Sequence, residues 1–430
     1  MREMKDSGIE WIKQIPKEWL VNRLKYIVNS LSKGNGITKE DVLFDGDTPC
    51  VRYGEIYSKY DYSFKTCISR TNKDRVSSPQ YFYYGDILFA GTGELIEEIG
   101  MNIVYLGNDK CLAGGDIIIA KHNQNPAFLN YALNSSYIQA QKGYGKAKLK
   151  VVHISAFDLG NLMVALPPLG EQKRIADYLD NKCAQFDSTI SDIQSQIEAL
   201  EEYKRSVITE AVTKGLDPDV EMRDSGDEWI GMIPDHWKIM RIGRLFHLRN
   251  EKNYLPMEQV QLLSLYTDIG VFPHGEHEER GNKAVTVDGY NIVKKNDIVV
   301  NIILAWMGAI GISNYEGVTS PAYDVYVPDL SKVVPHYFHY VFRTSGIAGE
   351  CYKYGRGIMM MRWRTYSSEF KLINVPYPNL REQQQIADYL DSKCAEIDSI
   401  IAEKKQQIET IEEYKKSLIF EYVTGKKEVK

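Results

Sequence analysis

The sequence lacks the cysteine pairs and long apolar runs that would assign it directly to a class. Its six cysteines include no Cys-x-x-Cys pair, so we expect reduced, packed thiols rather than a disulfide framework. No apolar run is long enough to cross a bilayer, and the charged opening MREMKDSGIEW has no apolar signal core. We therefore expect a cytoplasmic protein with no membrane partner. A chain of 430 residues suits two to four domains.

An excess of positive charge, the usual footprint of a nucleic-acid-binding protein, is also missing. The formal net charge is -6. Nearly all of the excess negative charge lies in two helical segments described below, while basic residues cluster elsewhere. Because net charge reports on solubility and steering rather than on a local patch, the value does not exclude a nucleic-acid partner.

Motifs for catalysis and for bound cofactors are absent or incomplete. The segment FAGTG (Phe89–Gly93) resembles the Gly-rich loop of adenine methyltransferases, but the Asn/Asp-Pro-Pro-Tyr/Phe tetrapeptide that such enzymes need is missing. There is no Gly-x-x-x-x-Gly-Lys-Ser/Thr phosphate loop. The pairs His274/His277 and His336/His339 have no evident third metal ligand. These incomplete motifs argue against a cofactor loop, a phosphate loop and a metal site in this chain.

What the sequence does contain is a long internal repeat without insertions. The segments 171–213 and 382–424 are identical at roughly three in five positions without an insertion, which chance does not produce. A shorter repeat opens each half, MKDSGIEWIKQIPKEW at 4–19 and MRDSGDEWIGMIPDHW at 222–237. The chain is therefore duplicated, with a lead-in, a variable region and a long helix in each half.

The regions between the repeats, 20–166 and 238–377, are far less alike. A duplicated scaffold with diverged regions indicates two binding units that each recognise something different. The predicted domains are a first recognition domain, a first helical arm, a second recognition domain and a second helical arm, at 1–166, 167–215, 216–377 and 378–430.

Both arms carry the alternating three-and-four spacing of a coiled-coil seam. The seam residues are Phe186, Ile190, Ile193, Ile197, Leu200 and Val207, and then Ile397, Ile401, Ile408, Ile411 and Leu418. Lys404 replaces Ile193 in the second series; it either fixes the register of the seam or extends its ammonium group to water. A helix over 184–213 would be about 45 Å long. We expect the two arms to pair antiparallel, with pairing to another subunit as the alternative.

A short helix is predicted just before each arm, in LPPLGEQKRIADYLDNK and VPYPNLREQQQIADYLDSK. Ile175/Leu179 and Ile386/Leu390 form its apolar stripe. We expect four polar residues near its start to be exposed and to bind a partner: Glu171, Gln172, Glu382 and Gln383.

Each variable region predicts a mixed α and β domain with buried strands, an amphipathic helix and then a Gly-rich basic loop. The loops are KGYGKAKLK at 142–150 and KYGRGIMMMRWR at 353–364. Glycine allows close approach of the backbone, cations neutralise phosphates, and aromatic rings pack on sugar or base. The predicted DNA-binding residues are Tyr144, Lys146, Lys148 and Lys150 in the first loop, and Arg356, Arg362, Trp363 and Arg364 in the second. A solvated basic surface is the alternative.

Taken together, the LPPLGEQ..IA.YLD segments, the EYK.S.I.E.VTG helices and the DSGIEWI..IP..W lead-ins resemble the specificity subunit of type I restriction-modification enzymes, over essentially the whole chain. The resemblance implies an α+β fold in which a pair of long antiparallel coiled-coil helices separates two recognition domains by internal pseudo-two-fold duplication. It implies a non-catalytic subunit, without a cofactor of its own, that reads a bipartite double-stranded DNA target, one half-site per domain.

The resemblance also implies partners. Two adenine methyltransferase subunits and two restriction/translocase subunits would bind the chain, and ATP, Mg²⁺ and S-adenosylmethionine would belong to those partners. Two other classes stay open from the residues alone: a self-contained DNA methyltransferase or nuclease, and a structural coiled-coil scaffold.

Overall fold

The computed structural model divides the chain into two compact units, and each unit contains a part of both arms. Unit 1 comprises Met1–Ile193 with Lys405–Lys430, and unit 2 comprises Gln194–Lys404. The described residues are 2–76, 78–93, 95–144, 152–267, 270–275, 286–357 and 363–429.

The strands of unit 1 are β1 Met4–Asp6, β2 Gln14–Pro16, β3 Leu20–Arg23, β4 Val28–Lys33, β5 Thr48–Val51, β6 Ser63–Phe64, β7 Ser69–Thr71, β8 Tyr81–Phe82, β9 Ile87–Ala90, β10 Thr92–Gly93, β11 Asn102–Tyr105, β12 Cys111–Ala113, β13 Ile117–His122, β14 Val152–His153 and β15 Met163–Leu166. Its helices are α1 Tyr53–Ser58, α2 Pro126–Leu133, α3 Ser136–Gly143, α4 Ala156–Gly160 and the first part of α5 Leu169–Lys214.

Unit 1 is built on a five-stranded sheet of order β4-β13-β9-β11-β6 and a four-stranded sheet of order β7-β5-β12-β8. The predicted turn and strand in YGDILFA form β9, whose four residues are all buried, because strands on both sides and a helix layer cover it. The main core also includes Trp19 of the lead-in and Val423 at the end of the second arm. Residues from both ends of the chain therefore complete unit 1.

In unit 2 the strands are β16 Met222–Asp224, β17 Met232–Pro234, β18 Lys238–Arg241, β19 Phe246–Leu248, β20 Leu263–Tyr266, β21 Gly270–Pro273, β22 Asn291–Val293, β23 Ile298–Asn301, β24 Ile310–Ile312, β25 Gly317–Thr319, β26 Tyr323–Pro328 and β27 Asn374–Tyr377. The helices are α6 Pro335–Phe342, α7 Ser345–Tyr354, α8 Ser367–Phe370 and α9 Leu380–Val423, which ends in unit 1.

The central sheet of unit 2 repeats that of unit 1 with one strand fewer. Its order is β19-β26-β23-β24, which matches β4-β13-β9-β11. The second layers differ, because unit 2 has two-stranded ladders, β20-β21 and β22-β25, in place of the four-stranded sheet. The two units thus share a framework and differ in the layer built on it, and the chain is an internally duplicated α+β protein.

The two long helices pair antiparallel inside each unit. In unit 1 the Phe186 and Tyr414 rings meet edge to face at 5.5 Å, and Lys415 Nζ lies 2.6 Å from Asp187. In unit 2 Lys204 Nζ lies 2.7 Å from Asp398, the pair related to the previous one by the repeat. The seam positions are buried or half-buried throughout. The predicted antiparallel pairing is therefore confirmed within each unit.

Two predicted helix boundaries are wrong. The segments that the sequence assigns to a separate short helix are the first turns of α5 and α9, which run without a break for 46 and 44 residues. The predicted amphipathic helix is instead two helices in each unit, α2 and α3 or α6 and α7. Ser135 and Thr344 occupy the N-cap positions of the second helices, where the chain turns and restarts.

No helix within the described parts of the chain is long and apolar enough to cross a membrane.

Candidate nucleic-acid interface

The basic loop of unit 1 leaves the end of α3. Tyr144, at the end of that helix, is 78% exposed and meets the ring of Trp11 edge to face at 6.3 Å. The other predicted phosphate ligands of this loop, Lys146, Lys148 and Lys150, lie outside the described residues. The structure therefore places the aromatic candidate on the surface, next to an aromatic residue of the lead-in.

Lys142, two residues earlier, points into unit 1 instead of toward solvent. Its Nζ donates hydrogen bonds to the carbonyl oxygens of Gly100 and Leu133 and to Asn102 Oδ1, at 2.7, 2.9 and 3.0 Å. Burial lowers the pKa of Lys142 to about 7. Three acceptors match the three donors of an ammonium group, so Lys142 connects the end of α3 to α2, to β11 and to the turn that precedes β11.

The FAGTG segment lies where the loop of unit 1 returns to the sheet. Gly93 pairs with Val152, the first described residue after the loop. A Cβ added to Gly91 would lie 2.9 Å from the carbonyl oxygen of Asp116, because these two backbones are hydrogen-bonded at 2.7 Å. Close packing of the backbone explains why glycine occurs in this segment. A bound cofactor is not needed to account for the Gly-rich sequence.

The basic loop of unit 2 is closed at its base by its own backbone. The N–H and C=O groups of Arg356 and Arg364 bond each other at 2.9 Å in both directions. Both side chains are exposed, and Arg356 also forms an ion pair with Glu369 of α8. Arg362 lies outside the described residues. Two of the predicted arginines are thus held side by side at the mouth of the loop.

Trp363 makes its described contacts within the protein. Its ring stacks on Tyr352 at 5.2 Å, and its Nε1 donates to the carbonyl oxygen of Tyr352 at 3.0 Å. Gly355 allows this approach, since a Cβ there would lie 2.2 Å from Trp363 Nε1. The ring anchors the second strand of the loop against α7.

The described histidines of the two pairs contact other protein side chains. His336 Nε2 lies 2.7 Å from Asp391 Oδ1, and its ring stacks on His339. Burial lowers the pKa of His339 to about 4. His277 is outside the described residues. Among the residues that are described, no group of three His, Cys, Asp or Glu side chains could hold a metal ion.

The predicted exposure of Gln172 is wrong. Its side chain is 1% exposed, and its Oε1 accepts from the backbone N–H of Asn125, the N-cap of α2, at 2.9 Å. Its Nε2 donates to the carbonyl oxygen of Pro167 at 3.0 Å. Glu171 is half-buried, with Trp19 Nε1 at 3.3 Å and Arg2 as an ion-pair partner. These side chains dock the arm on the recognition domain.

Gln383 and Glu382 repeat this arrangement in unit 2. Gln383 is fully buried; its Oε1 accepts from the N–H of Val334 at 2.7 Å, and its Nε2 donates to the oxygen of Pro378. Glu382 accepts from Trp237 Nε1 at 3.2 Å. A buried amide must be hydrogen-bonded, and the start of α2 or α6 supplies a donor that would otherwise have no partner.

Sequence reasoning missed a second contact between each arm and its recognition domain. Tyr131 donates to Asp180 at 2.9 Å in unit 1, and Tyr340 donates to Asp391 at 2.6 Å in unit 2. The aspartates of these contacts belong to the YLDxKC segment that is repeated in both arms, so the sequence could have indicated them. Their tyrosine partners lie in the diverged regions, where the repeat is hard to follow. Both arms are therefore fixed to their domains by the same acidic and amide groups.

Comparison with known families gives two matches. The domain described as "Type I restriction modification DNA specificity domain" matches residues 16–201 and again 234–410. The two matches cover most of the chain, and each spans one recognition region and part of the following arm.

Two curated relatives match nearly the whole length of the chain, and a third matches about two thirds of it. A putative type I restriction enzyme MjaX specificity subunit of Methanocaldococcus jannaschii is 27% identical, covering 97% of this chain and 96% of the relative. The MjaVIII specificity subunit of the same organism is 23% identical over 97% and 95%. The EcoBI specificity subunit of Escherichia coli is 26% identical over 66% of this chain and 62% of its own length.

Solved structures share the fold at low identity. A chain from a study of complex assembly and conformational transition in the type I R-M system has a TM-score of 0.70 at 15% identity, covering 96% of this chain and 99% of that one. The HsdS subunit from Thermoanaerobacter tengcongensis has a TM-score of 0.52 at 14% identity, over 96% and 98%. On the family match to both halves, this chain belongs to the family of type I restriction-modification DNA specificity subunits.

Proposed function

We propose that this chain is the sequence-specific DNA-recognition subunit of a type I restriction-modification complex. Each unit reads one half of a bipartite double-stranded target. The observation that carries the proposal is the contrast between the two units: the same central sheet and the same arm docking recur, while the layer built on the sheet differs. Two readers on one scaffold would recognise two unrelated half-sites.

The chain itself is proposed to be non-catalytic. Two adenine methyltransferase subunits and two restriction/translocase subunits would supply the chemistry, with ATP, Mg²⁺ and S-adenosylmethionine bound by them. The close strand packing at Gly91 supports this division, because it gives the one methyltransferase-like motif a structural role. No observation on the described residues favours the two alternatives, a self-contained methyltransferase or nuclease and a purely structural scaffold.

The partner surface is proposed to lie at the starts of the arms, as the sequence predicts, but beside the buried glutamines. Glu171 and Glu382 are partly exposed there, with 11% and 27% of their side chains accessible. Leu169 and Leu380 occupy matching positions and are 57% and 41% exposed. Two matched apolar side chains on equivalent helix starts would suit two copies of one methyltransferase subunit, since exposed apolar groups gain most from burial in an interface.

The test is to co-express the chain with its adenine methyltransferase partner and to sequence modified adenines in the host DNA. We expect methylation at one bipartite motif, which is lost when either protein is omitted. The double variant Leu169→Glu/Leu380→Glu should fail to retain the methyltransferase, whereas Lys173→Glu should retain it. Methylation by either protein alone, or at a motif with a single recognised block, would contradict the proposal.

A further inference from the structure

Two cations of unit 1 converge on one neutral oxygen. Arg23, the last residue of β3, donates from Nη1 to Asn161 Oδ1 at 3.4 Å, and Lys25 Nζ donates to the same atom at 3.3 Å. Both side chains are exposed. Among the residues that the structure describes, neither forms an ion pair with a carboxylate. Two like charges that share one amide acceptor repel each other, and a bound anion would relieve that repulsion.

The cation pair borders the predicted interface. Asn161 also lines a cleft of about 290 Å³ whose rim carries Trp11 and Tyr144. Tyr144 leads directly into the predicted phosphate-binding loop. Cations and exposed aromatic rings therefore share one face of unit 1, at the point where the described residues lead into the Gly-rich segment. Asp158, the acidic residue of this cleft, caps its own helix by accepting from the N–H of Ser155 at 3.0 Å.

Unit 2 places cations at the same point of its framework. β18 ends at Arg241, and a turn of 3-10 helix, Ile242–Arg244, follows as Leu24–Tyr26 does in unit 1. The turn is fixed by the same bond, from Ile242 N–H to the oxygen of Ile373 at 3.0 Å and from Leu24 N–H to that of Leu162 at 2.8 Å.

Lys371 completes the second set. A Cβ added to Gly243 would lie 3.0 Å from Lys371 Cβ, so the lysine stem lies across the turn between Arg241 and Arg244. In the described part of the chain none of these three cations is paired with a carboxylate. Arg356 of the basic loop reaches the adjoining helix α8 through Glu369. The second set is thus also next to its basic loop.

We propose that these cations, Arg23 with Lys25 and Arg241 with Arg244 and Lys371, bind the phosphates of DNA at each half-site. The inference rests on the proposed function and names a contact surface for it. The side chains differ between the units but the position and the charge recur, as a sequence-independent phosphate contact requires. Arginine is well suited to phosphate, because its planar fork of donors matches the oxygens.

The experiment uses the full chain in complex with its methyltransferase partner. The variants are Arg23→Gln/Lys25→Gln and Arg241→Gln/Arg244→Gln/Lys371→Gln. The control is Arg205→Gln/Lys405→Gln/Lys416→Gln, which removes three exposed charges from the arms. DNA affinity is measured from low to moderate salt on a duplex that carries the mapped motif and on one that does not.

Each lost phosphate contact should lower the slope of log affinity against log salt by about one. We expect a decrease of up to about two for the double variant and about three for the triple variant, on both duplexes, with the methylated motif unchanged. The control should keep the wild-type slope. Equal thermal unfolding of variants and wild type establishes that the fold is retained.

Wild-type slopes in both variants would overturn the inference while leaving the proposed function intact. Loss of the methyltransferase from the variants with an unchanged slope would also overturn it, by assigning the cations to an acidic protein surface. A wild-type complex without preference for any bipartite duplex would remove the proposed function, and the inference with it.

Discussion

Lys142 is a single residue whose charge the fold of unit 1 has to accommodate. Burial lowers the pKa of Lys142 from 10.5 to about 7. Between these two pH values the unfolded chain holds a proton that the folded chain has released. The free energy of unfolding should therefore rise with pH from about 7 to about 10, by at most about 5 kcal/mol. Below pH 7 both states are protonated and the full cost of burying the charge is present.

The comparison that isolates this contribution is wild type against Lys142→Met, unfolded in urea at several pH values between 6 and 10. The stability of wild type relative to the variant should increase with pH, whereas Lys405→Met, on an exposed site, should show no such trend. A difference that stays constant or falls with pH would mean that the three oxygen acceptors hold the ammonium form more strongly than burial disfavours it.

For Gln172 and Gln383, the sequence predicted that the residues matter but not that their side chains are buried. Their repetition in both arms identified them as important. Whether an amide at the start of a helix faces a partner or its own domain depends on where α2 and α6 dock, and that is decided by contacts between segments distant in sequence. The same limit applies to Lys142, which the sequence assigned to a solvent-facing loop.

At the scale of elements, the seam of the arms was predictable because coiled-coil spacing is local and strong. The break between α2 and α3 was not, since the apolar pattern continues through it and Ser135 alone carries the signal. The sequence alone does not decide whether Lys404 fixes the register of the seam or extends its ammonium group to water. In unit 2 its Nζ bonds Gln196 Oε1 at 2.6 Å across the helix pair.

Replacing Lys404 by isoleucine tests how this position contributes to the stability of the helix pair. Ile193, its counterpart in the repeat, is 8% exposed, so an aliphatic side chain fits such a site. We expect Lys404→Ile to raise the free energy of unfolding by about 1 kcal/mol, since a half-buried aliphatic group replaces an ammonium group. Lys405→Ile, on the exposed face, should change it by less than about 0.5 kcal/mol.

Thermal and urea unfolding of both variants would provide the comparison. A Lys404→Ile variant less stable than wild type would show that the bond to Gln196 contributes more than apolar packing. Analytical ultracentrifugation of the same sample would reveal whether the lysine also prevents other helix pairings, because a polar residue in a seam can specify partner and register at a cost in stability.

At the scale of the whole molecule, the diverged regions begin and end at paired residues. Leu20 is opposite Leu166 in the ladder of β3 and β15, and Lys238 is opposite Tyr377 in that of β18 and β27. Each recognition region therefore enters and leaves the framework at one point. The sequence predicted these limits from where similarity stops, but it could not predict that the limits adjoin, because strand pairing is non-local.

This closure makes each region exchangeable as a unit. Replacing 20–166 by the corresponding region of a relative leaves the lead-in and both arms untouched, and the buried contacts of Trp19 and Gln172 are the ones to keep compatible. We expect one half of the methylated motif to change while the other half and the number of bases between them stay the same. Exchange of 238–377 should change the opposite half. Mapping modified adenines for both chimeras decides the matter, since a change in both halves from one exchange would mean that the two units do not read DNA independently.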